Sequence, residues 1–279
     1  MRAWVNGQVL DEASQPVLSV FDHGFTVGDG VFETVKTVDG QPFALSRHLE
    51  RLARSAKGLG LPDPDLGVVR EAVAAVLDGP PDAFGRLRIT LTGGTSPLGS
   101  ERGSGPSTLV VVAGPLSSRP TITTIATVPW RRNDQGATAG LKTTSYADNV
   151  IALAYAHERA ATEAIFANTA GRLCEGTGSN VFYVRDGRLL TPTLRSGCLA
   201  GVTRALILEW CAEDLPGGVS EVDEPVDVLG SADEIFLAST TRDVQAVSRC
   251  DGRELAAPGP VTTAAQEIWA KRAADDLDP

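Results

Sequence analysis

The chain has 279 residues, 42% of them hydrophobic, and a formal net charge of -10. A chain of this length can bury a full core and suits one large unit or two domains. Its negative balance excludes non-specific binding to nucleic acid or to an anionic membrane, since both need a basic surface that displaces counterions, and no window approaches the ~18 uninterrupted apolar residues of a membrane span.

The first residues, Arg2-Ala3-Trp4-Val5 and then Asn6-Gly7, read as a short strand and a hairpin turn. They contain no signal-peptide core, so the expected location is cytoplasmic. Gly30 to Val38 is rich in β-branched residues and ends in the turn pair Asp39-Gly40. Ser46 can then cap a helix whose apolar positions Leu49, Leu52, Ala53 and Ala56 share one face. A second helix is expected over Leu66–Leu77. Strands around Arg86–Leu91 and Leu109–Val112 bracket a loop rich in glycine, serine and threonine from Gly93 to Ser107.

Gly114 to Pro120 places two prolines around a polar turn and is the expected linker. It separates an N-terminal domain, residues 1–115, from a C-terminal domain, residues 121–279. The second half opens with a strand over Thr121–Val128, continues through a polar loop carrying Arg131-Arg132-Asn133 to Lys142, and enters an alanine-rich helix over Val150–Ala161. Asp186-Gly187 joins two strands. Thr203–Cys211 reads as helix, Glu234–Ala238 and Val244–Val247 as strands, and Val261–Ala274 as a closing helix.

Cys174, Cys198, Cys211 and Cys250 show no CxxC or metal-ligand spacing, and are expected to be reduced, mostly buried thiols. His23, His48 and His157 are too scattered for a zinc site, so no metal is expected. Of the four lysines, Lys57 precedes Gly58 at a helix end, Lys271 lies in a charged terminal helix, and Lys36 sits in a hairpin strand where it can face solvent. Lys142 stands among Gly140, Leu141, Thr143, Thr144, Ser145 and Tyr146. It is either a solvated loop lysine or an amine whose pKa is lowered by desolvation.

The most informative stretch is Glu175-Gly176-Thr177-Gly178-Ser179-Asn180-Val181-Phe182, followed by Thr191 and by Gly201-Val202-Thr203-Arg204. One carboxylate, a glycine-hydroxyl turn and a Gly-Val-Thr step into a helix suit a heteroaromatic phosphate cofactor, with an acid at one end and backbone donors at the other. Order and spacing resemble the signature of the class IV, or fold type IV, pyridoxal-phosphate enzymes, which include branched-chain and D-amino-acid aminotransferases and 4-amino-4-deoxychorismate lyase. The resemblance covers nearly the whole chain. It implies an α/β fold of the D-amino-acid aminotransferase type: an α/β N-terminal domain, a larger pseudo-barrel α/β C-terminal domain, pyridoxal 5'-phosphate between them, and a homodimer.

Residue by residue, the resemblance implies that Lys142 carries the cofactor and moves protons as a free amine. Glu175 would keep the pyridine nitrogen protonated, Tyr146 would bond the ring hydroxyl, and Arg51 would hold the phosphate together with the backbone of Val202 and Thr203. Thr240 matches a further phosphate-binding hydroxyl, and otherwise reads as an ordinary turn residue. Asn180 reads as structural.

For the substrate, Gly93 stands where D-amino-acid aminotransferases have a carboxylate-gripping arginine, which counts against that specificity. Phe21-Asp22-His23-Gly24-Phe25 with Gly28-Asp29-Gly30-Val31-Phe32 resembles some lyases. Arg102 and the pair Arg131-Arg132 are the expected grips on an anionic amine, the pair being equally readable as a solvated loop. The resemblance thus implies aminodeoxychorismate lyase first, and a branched-chain or D-amino-acid aminotransferase second.

Overall fold

The computed structural model describes residues 1–10, 17–116 and 120–279. The chain divides into two compact units: Met1–Ser118 with Leu141–Tyr146 and Leu277–Pro279, and Arg119–Gly140 with Ala147–Asp276. Both are mixed α/β, the class expected from the sequence. The expected linker begins inside the last strand of the first unit, which ends at Pro115, and its centre, residues 117–119, lies outside the described residues.

In the first unit, β1 (Arg2–Val5), β2 (Gln8–Leu10), β3 (Gly30–Val38), β4 (Gln41–Pro42), β5 (Phe84–Thr92) and β6 (Thr108–Pro115) form an antiparallel sheet in the order β2-β1-β6-β5-β3-β4. Its helices are α1 (His23–Thr26), α2 (Leu45–Leu59) and α3 (Leu66–Leu77). Alternation along the strands decides what each face carries. Leu87, Ile89 and Leu91 of β5 and Leu109 and Val111 of β6 pack with Val31 and Val35 against Leu49 and Leu52 of α2 and Val69 and Val73 of α3. Arg86, Arg88 and Thr90 take the opposite face, where they adjoin Phe32 and Thr34 across the β3–β5 pairing.

Helix α2 does not start on a Ser46 cap. Ala44 occupies the cap position with φ 54°, and no side chain caps the helix. The C-terminal tail docks there instead. The Ala44 N–H donates to the Leu277 carbonyl at 2.6 Å, and the Ser46 hydroxyl and N–H both donate to the Asp278 carboxylate, at 2.5 and 2.8 Å.

In the second unit, β7 (Ile122–Arg132), β8 (Glu163–Asn168), β9 (Leu173–Gly176), β10 (Asn180–Arg185), β11 (Arg188–Pro192), β12 (Val219–Val222), β13 (Glu234–Ser239) and β14 (Asp243–Cys250) form one sheet. The order is β12-β11-β10-β13-β14-β7-β8-β9, with β15 (Arg253–Glu254) on β14, and the sheet curls so that β9 returns against β10. Helices α4 (Ala147–Glu158), α5 (Val202–Asp214) and α6 (Pro260–Asp275) complete the unit. The parallel pair β7–β8 is crossed by α4, whose Ala152 and Ala156 let it lie close over Ala126, Val128 and Phe166. β7 runs to Arg132 rather than stopping at Val128, because Arg131 and Arg132 still pair with Ala167 and Asn168 of β8.

The four cysteines are free and buried. Burial pushes the thiols of Cys198 and Cys211 up to about 11 and that of Cys250 to about 12, so they stay protonated and unreactive at neutral pH. Among the described residues no helix is long and apolar enough to cross a membrane, and no group of three or more histidine, cysteine or acidic residues could hold a metal ion.

Candidate active site

In the first unit the residues of interest gather at the start of β3. Val31 and Thr143 form an antiparallel bridge, the Phe32 N–H donates to the Lys142 carbonyl at 3.0 Å, and the Thr144 N–H donates to the Gly30 carbonyl at 2.8 Å. On its other side, the Lys142 N–H donates to Ser55 Oγ of α2 at 3.3 Å. The lysine backbone is therefore pinned between a strand and a helix. Its Nζ lies 4.4 Å from the Phe32 ring centroid and 5.9 Å from that of Tyr146, and Tyr146 meets Phe32 edge-on at 5.1 Å. An aromatic face attracts an ammonium through the ring quadrupole.

Burial does not single out Lys142. Lys36, expected to face solvent, is only 5% exposed. The chain folds back after β4, the Phe43 N–H donates to the Lys36 carbonyl, and the Phe43 ring covers the ammonium at 4.4 Å. Lys57 and Lys271 are exposed.

Arg51 is buried on α2 and gripped from β3. Its Nε donates to Glu33 Oε1 at 2.8 Å and its Nη2 to Glu33 Oε2 at 2.6 Å, while His48 Nδ1 lies 2.7 Å from the same Oε2. Glu33 is fully buried; burial alone would raise its pKa, but the Arg51 charge and the bonds from Arg51 and His48 outweigh this and hold it at about 2. Burial holds His48 below its usual value against the pull of Glu33, with the charges of Arg51 and Lys142 adding to the lowering. His48 is thus neutral, and its proton sits on the nitrogen that faces Glu33.

Arg88 is a residue that the sequence reading passed over. Its Cζ lies 3.7 Å from the Phe32 ring centroid, and its Nε donates to Thr90 Oγ1 at 3.3 Å. The residue as a whole is exposed, yet desolvation of the guanidinium lowers its pKa, with Tyr146 opposing and Arg86 reinforcing the shift. No carboxylate pairs with it among the described residues. The available signal was alternation: an arginine on the same sheet face as Phe32, with no acid at i±2.

Arg102, expected as a substrate grip, is engaged by groups of the chain itself. Its Nε and Nη2 donate to the two oxygens of Asp29 at 2.7 and 2.6 Å, and its Nη1 and Nη2 cap the end of α2 at the carbonyls of Gly60 (2.5 Å) and Leu59 (2.7 Å). The bond from Arg102 in turn holds Asp29 below the usual carboxylate range. Asp29 also explains Gly93. A Cβ at position 93 would stand 2.4 Å from Asp29 Oδ2, so the locked carboxylate fills the space that a side chain would need.

In the second unit, β9 presents Glu175. Its Oε2 accepts the Leu199 N–H at 2.8 Å, and its Oε1 lies 3.3 Å from Arg132 Nε. Asn180 Nδ2 donates to the Leu199 carbonyl at 2.9 Å, and a Cβ at position 201 would meet Asn180 Oδ1 at 2.0 Å. Leu199 thereby ties Glu175 to Asn180, and Gly201 lets α5 begin hard against that asparagine. Helix α5 starts at Val202 with no side-chain cap, so the first-turn N–H groups of Val202 and Thr203 have no intrahelical acceptor. Thr240 lies in the turn after β13, one strand from Asn180, which pairs with Ala238.

Other signature residues serve the fold. Thr191 Oγ1 donates to the Val181 carbonyl at 2.8 Å, and Arg204 Nη2 bonds the Pro192 carbonyl at 2.7 Å and the Glu221 carboxylate. The structure does not bring Arg131 and Arg132 together as the expected clamp. On a strand, neighbouring residues point to opposite sides, so Arg131 is exposed while Arg132 turns to Glu175, to Asn149 and to the Phe166 ring.

A carboxylate held by a backbone N–H and a helix start without a side-chain cap thus lie in the second unit, and a lysine on an aromatic face lies in the first. Residues 30–250 match the family described as "Amino-transferase class IV". The D-alanine aminotransferase of Staphylococcus epidermidis is 31% identical over 91% of this chain and 90% of that protein. The aminodeoxychorismate lyase of Bacillus subtilis is 31% identical over 86% of this chain and 84% of that protein. The branched-chain aminotransferase of Thermoproteus uzoniensis superimposes with a TM-score of 0.86 at 28% identity, over 97% of this chain and 94% of that one. The chain belongs to the class IV aminotransferase family, and is a pyridoxal-phosphate-dependent enzyme of aminotransferase or lyase type.

Proposed function

We propose that this enzyme is an aminodeoxychorismate lyase, releasing pyruvate and 4-aminobenzoate. The observation that carries the reading is Arg88, a partly desolvated guanidinium on the same Phe32 ring as Lys142, paired with no carboxylate among the described residues. It supplies one anchor for an anionic amine. The second anchor of a D-amino-acid enzyme is blocked at Gly93 by Asp29.

Pyridoxal phosphate, when bound, takes up an amine at its aldehyde and accepts, through its protonated ring, the electrons of a broken bond. Lys142 would hold it covalently and, as a free amine, would take the ring proton of the substrate and give it to the departing enolpyruvyl group, so that the ring C–O bond breaks, pyruvate leaves and aromatisation drives the reaction. Glu175, fixed by the Leu199 N–H, keeps the pyridine nitrogen protonated, and Tyr146 bonds the ring hydroxyl. Val202, Thr203 and Thr240 hold the phosphate together with Arg51. The exposed apolar side chains Leu18, Val20, Phe21 and Phe25 support a homodimer.

A branched-chain aminotransferase is the second reading, supported by the likeness to the Thermoproteus enzyme. Purified holoenzyme given aminodeoxychorismate without any keto acid should form pyruvate and 4-aminobenzoate in equal amounts. Product formed only from a branched-chain amino acid with a 2-keto acid would refute the lyase and establish the aminotransferase.

A further inference from the structure

The second unit contains a run of buried polar contacts that the reaction above leaves unexplained. Arg132 Nε lies 3.3 Å from Glu175 Oε1, yet this buried nitrogen has no hydrogen-bond partner, so the contact is an ion pair without hydrogen-bond geometry. The guanidinium is fixed elsewhere. Its Nη1 donates to Asn149 Oδ1 at 2.8 Å, and its Cζ sits 4.1 Å from the centroid of the Phe166 ring. Asn149, buried in the first turn of α4, donates from Nδ2 to the Thr177 carbonyl at 2.6 Å. Thr177 gives its N–H, at 2.7 Å, and its hydroxyl to Glu163 Oε1, and Glu163 Oε2 accepts from Arg242 Nη2 at 2.7 Å. Both ends of the Asn149 amide are therefore engaged, and it cannot turn without breaking two buried hydrogen bonds.

We propose that Asn149 is a positioning residue that keeps Arg132 from forming a two-bond pair with Glu175. An arginine beside a carboxylate ordinarily takes the fork arrangement, which is the stronger one. Here the bond from Nη1 to Asn149 and the Phe166 ring fix the guanidinium so that its Nε–Nη2 edge, the edge that would form the fork, is not aligned on Glu175. The inference rests on the reading of Glu175 as the partner of that nitrogen. Released from Asn149, Arg132 would swing onto Glu175, draw its charge away from the pyridine ring and make the ring a poorer electron acceptor.

The test is Asn149→Leu, which keeps the branched shape and removes both bonds, measured on holoenzyme beside wild type and Asn149→Asp. The expected result is a kcat about tenfold lower or more, the scale of one hydrogen bond to a charged group, with a displaced pH titration of the bound-cofactor absorbance. KM and the cofactor dissociation constant should hold within about threefold, since neither ligand is touched directly. Asn149→Asp, which still offers Nη1 an acceptor, should recover most of kcat and the wild-type titration. If Asn149→Leu only lowers the melting temperature, or if both variants lose kcat equally, the proposal is overturned. Should the leucine variant not fold, Asn149→Ala serves with the same readouts. Glu175→Gln, run in parallel, separates the two layers: an unchanged titration there removes the reading of Glu175 itself, whereas a change there with none in Asn149→Leu removes only the role of Asn149.

Discussion

Replacing Arg51 by alanine tests the first-unit site most severely, because the arginine pairs with Glu33 and is proposed to hold the phosphate as well. Glu33 is fully buried and held at about 2 instead of an ordinary value near 4.5. That lowering corresponds to roughly 3 kcal/mol of stability at neutral pH. The sign follows from the direction: a depressed carboxyl contributes fully above 4.5, and its contribution is lost as pH falls from 4.5 toward 2. Arg51→Ala leaves that carboxylate with His48 as its remaining side-chain bond, and breaking a buried pair from one side costs about 3–5 kcal/mol. This is a large part of the 5–15 kcal/mol typical of a folded domain. Urea unfolding at pH 7 should show the loss in the cofactor-free protein, and adding Glu33→Gln should recover at least half of it. Cofactor affinity should fall by roughly 1.5–3 kcal/mol in both variants, the scale of a hydrogen bond to a charged group. An Arg51→Ala protein within about 1 kcal/mol of wild type, inside the ordinary surface range, would refute the buried-pair reasoning. Recovered stability with unchanged cofactor affinity in the double variant would remove Arg51 from the phosphate site alone.

After borohydride reduction, peptide mapping should place the pyridoxyl adduct on Lys142; an adduct on the more deeply buried Lys36 would reverse the assignment. Arg88→Met should raise KM for the anionic substrate about tenfold or more, as loss of a charge-assisted bond requires, with the cofactor dissociation constant unchanged; an unaltered KM would leave Arg88 as a surface residue. Glu175→Gln should retain cofactor and lose most turnover, and near-normal rates would exclude its role at the ring nitrogen. Gly93→Arg should lower the melting temperature and give no D-alanine transamination, because Asp29 occupies the space for its Cβ; a stable variant with that activity would contradict the wall that Asp29 forms.

What was legible in the sequence is what local rules control. Asp39-Gly40 and Asp186-Gly187 turn their hairpins with all four residues at positive φ, as short hairpin loops demand. The helix over Leu66–Leu77 falls where its apolar spacing puts it. Glu175, Asn180 and the Gly-Val-Thr step lie close in sequence, and Leu199 joins them in space. Ser46 failed as a cap for a non-local reason, since its partner Asp278 lies at the other end of the chain. Lys36 misled in the same way, because the strand pattern that suggests solvent says nothing of a ring folded back from beyond the turn.

The arginines carry the wider lesson. Arg51, Arg88, Arg102 and Arg132 differ little in their immediate sequence, and each was open to being an anion grip. What separates them is the acid each one meets. Arg51 has Glu33 across a strand-helix contact, Arg102 has Asp29 from a loop 73 residues earlier, and Arg132 has Glu175 on a strand two places along the sheet. Such pairings depend on tertiary placement, and a guanidinium met by a carboxylate is largely spent as a substrate anchor. Arg88 meets only a ring face and a hydroxyl. Its availability was therefore invisible until the acids had been assigned to the others, and the same accounting shows why a chain of net charge -10 can still draw an anion to one point.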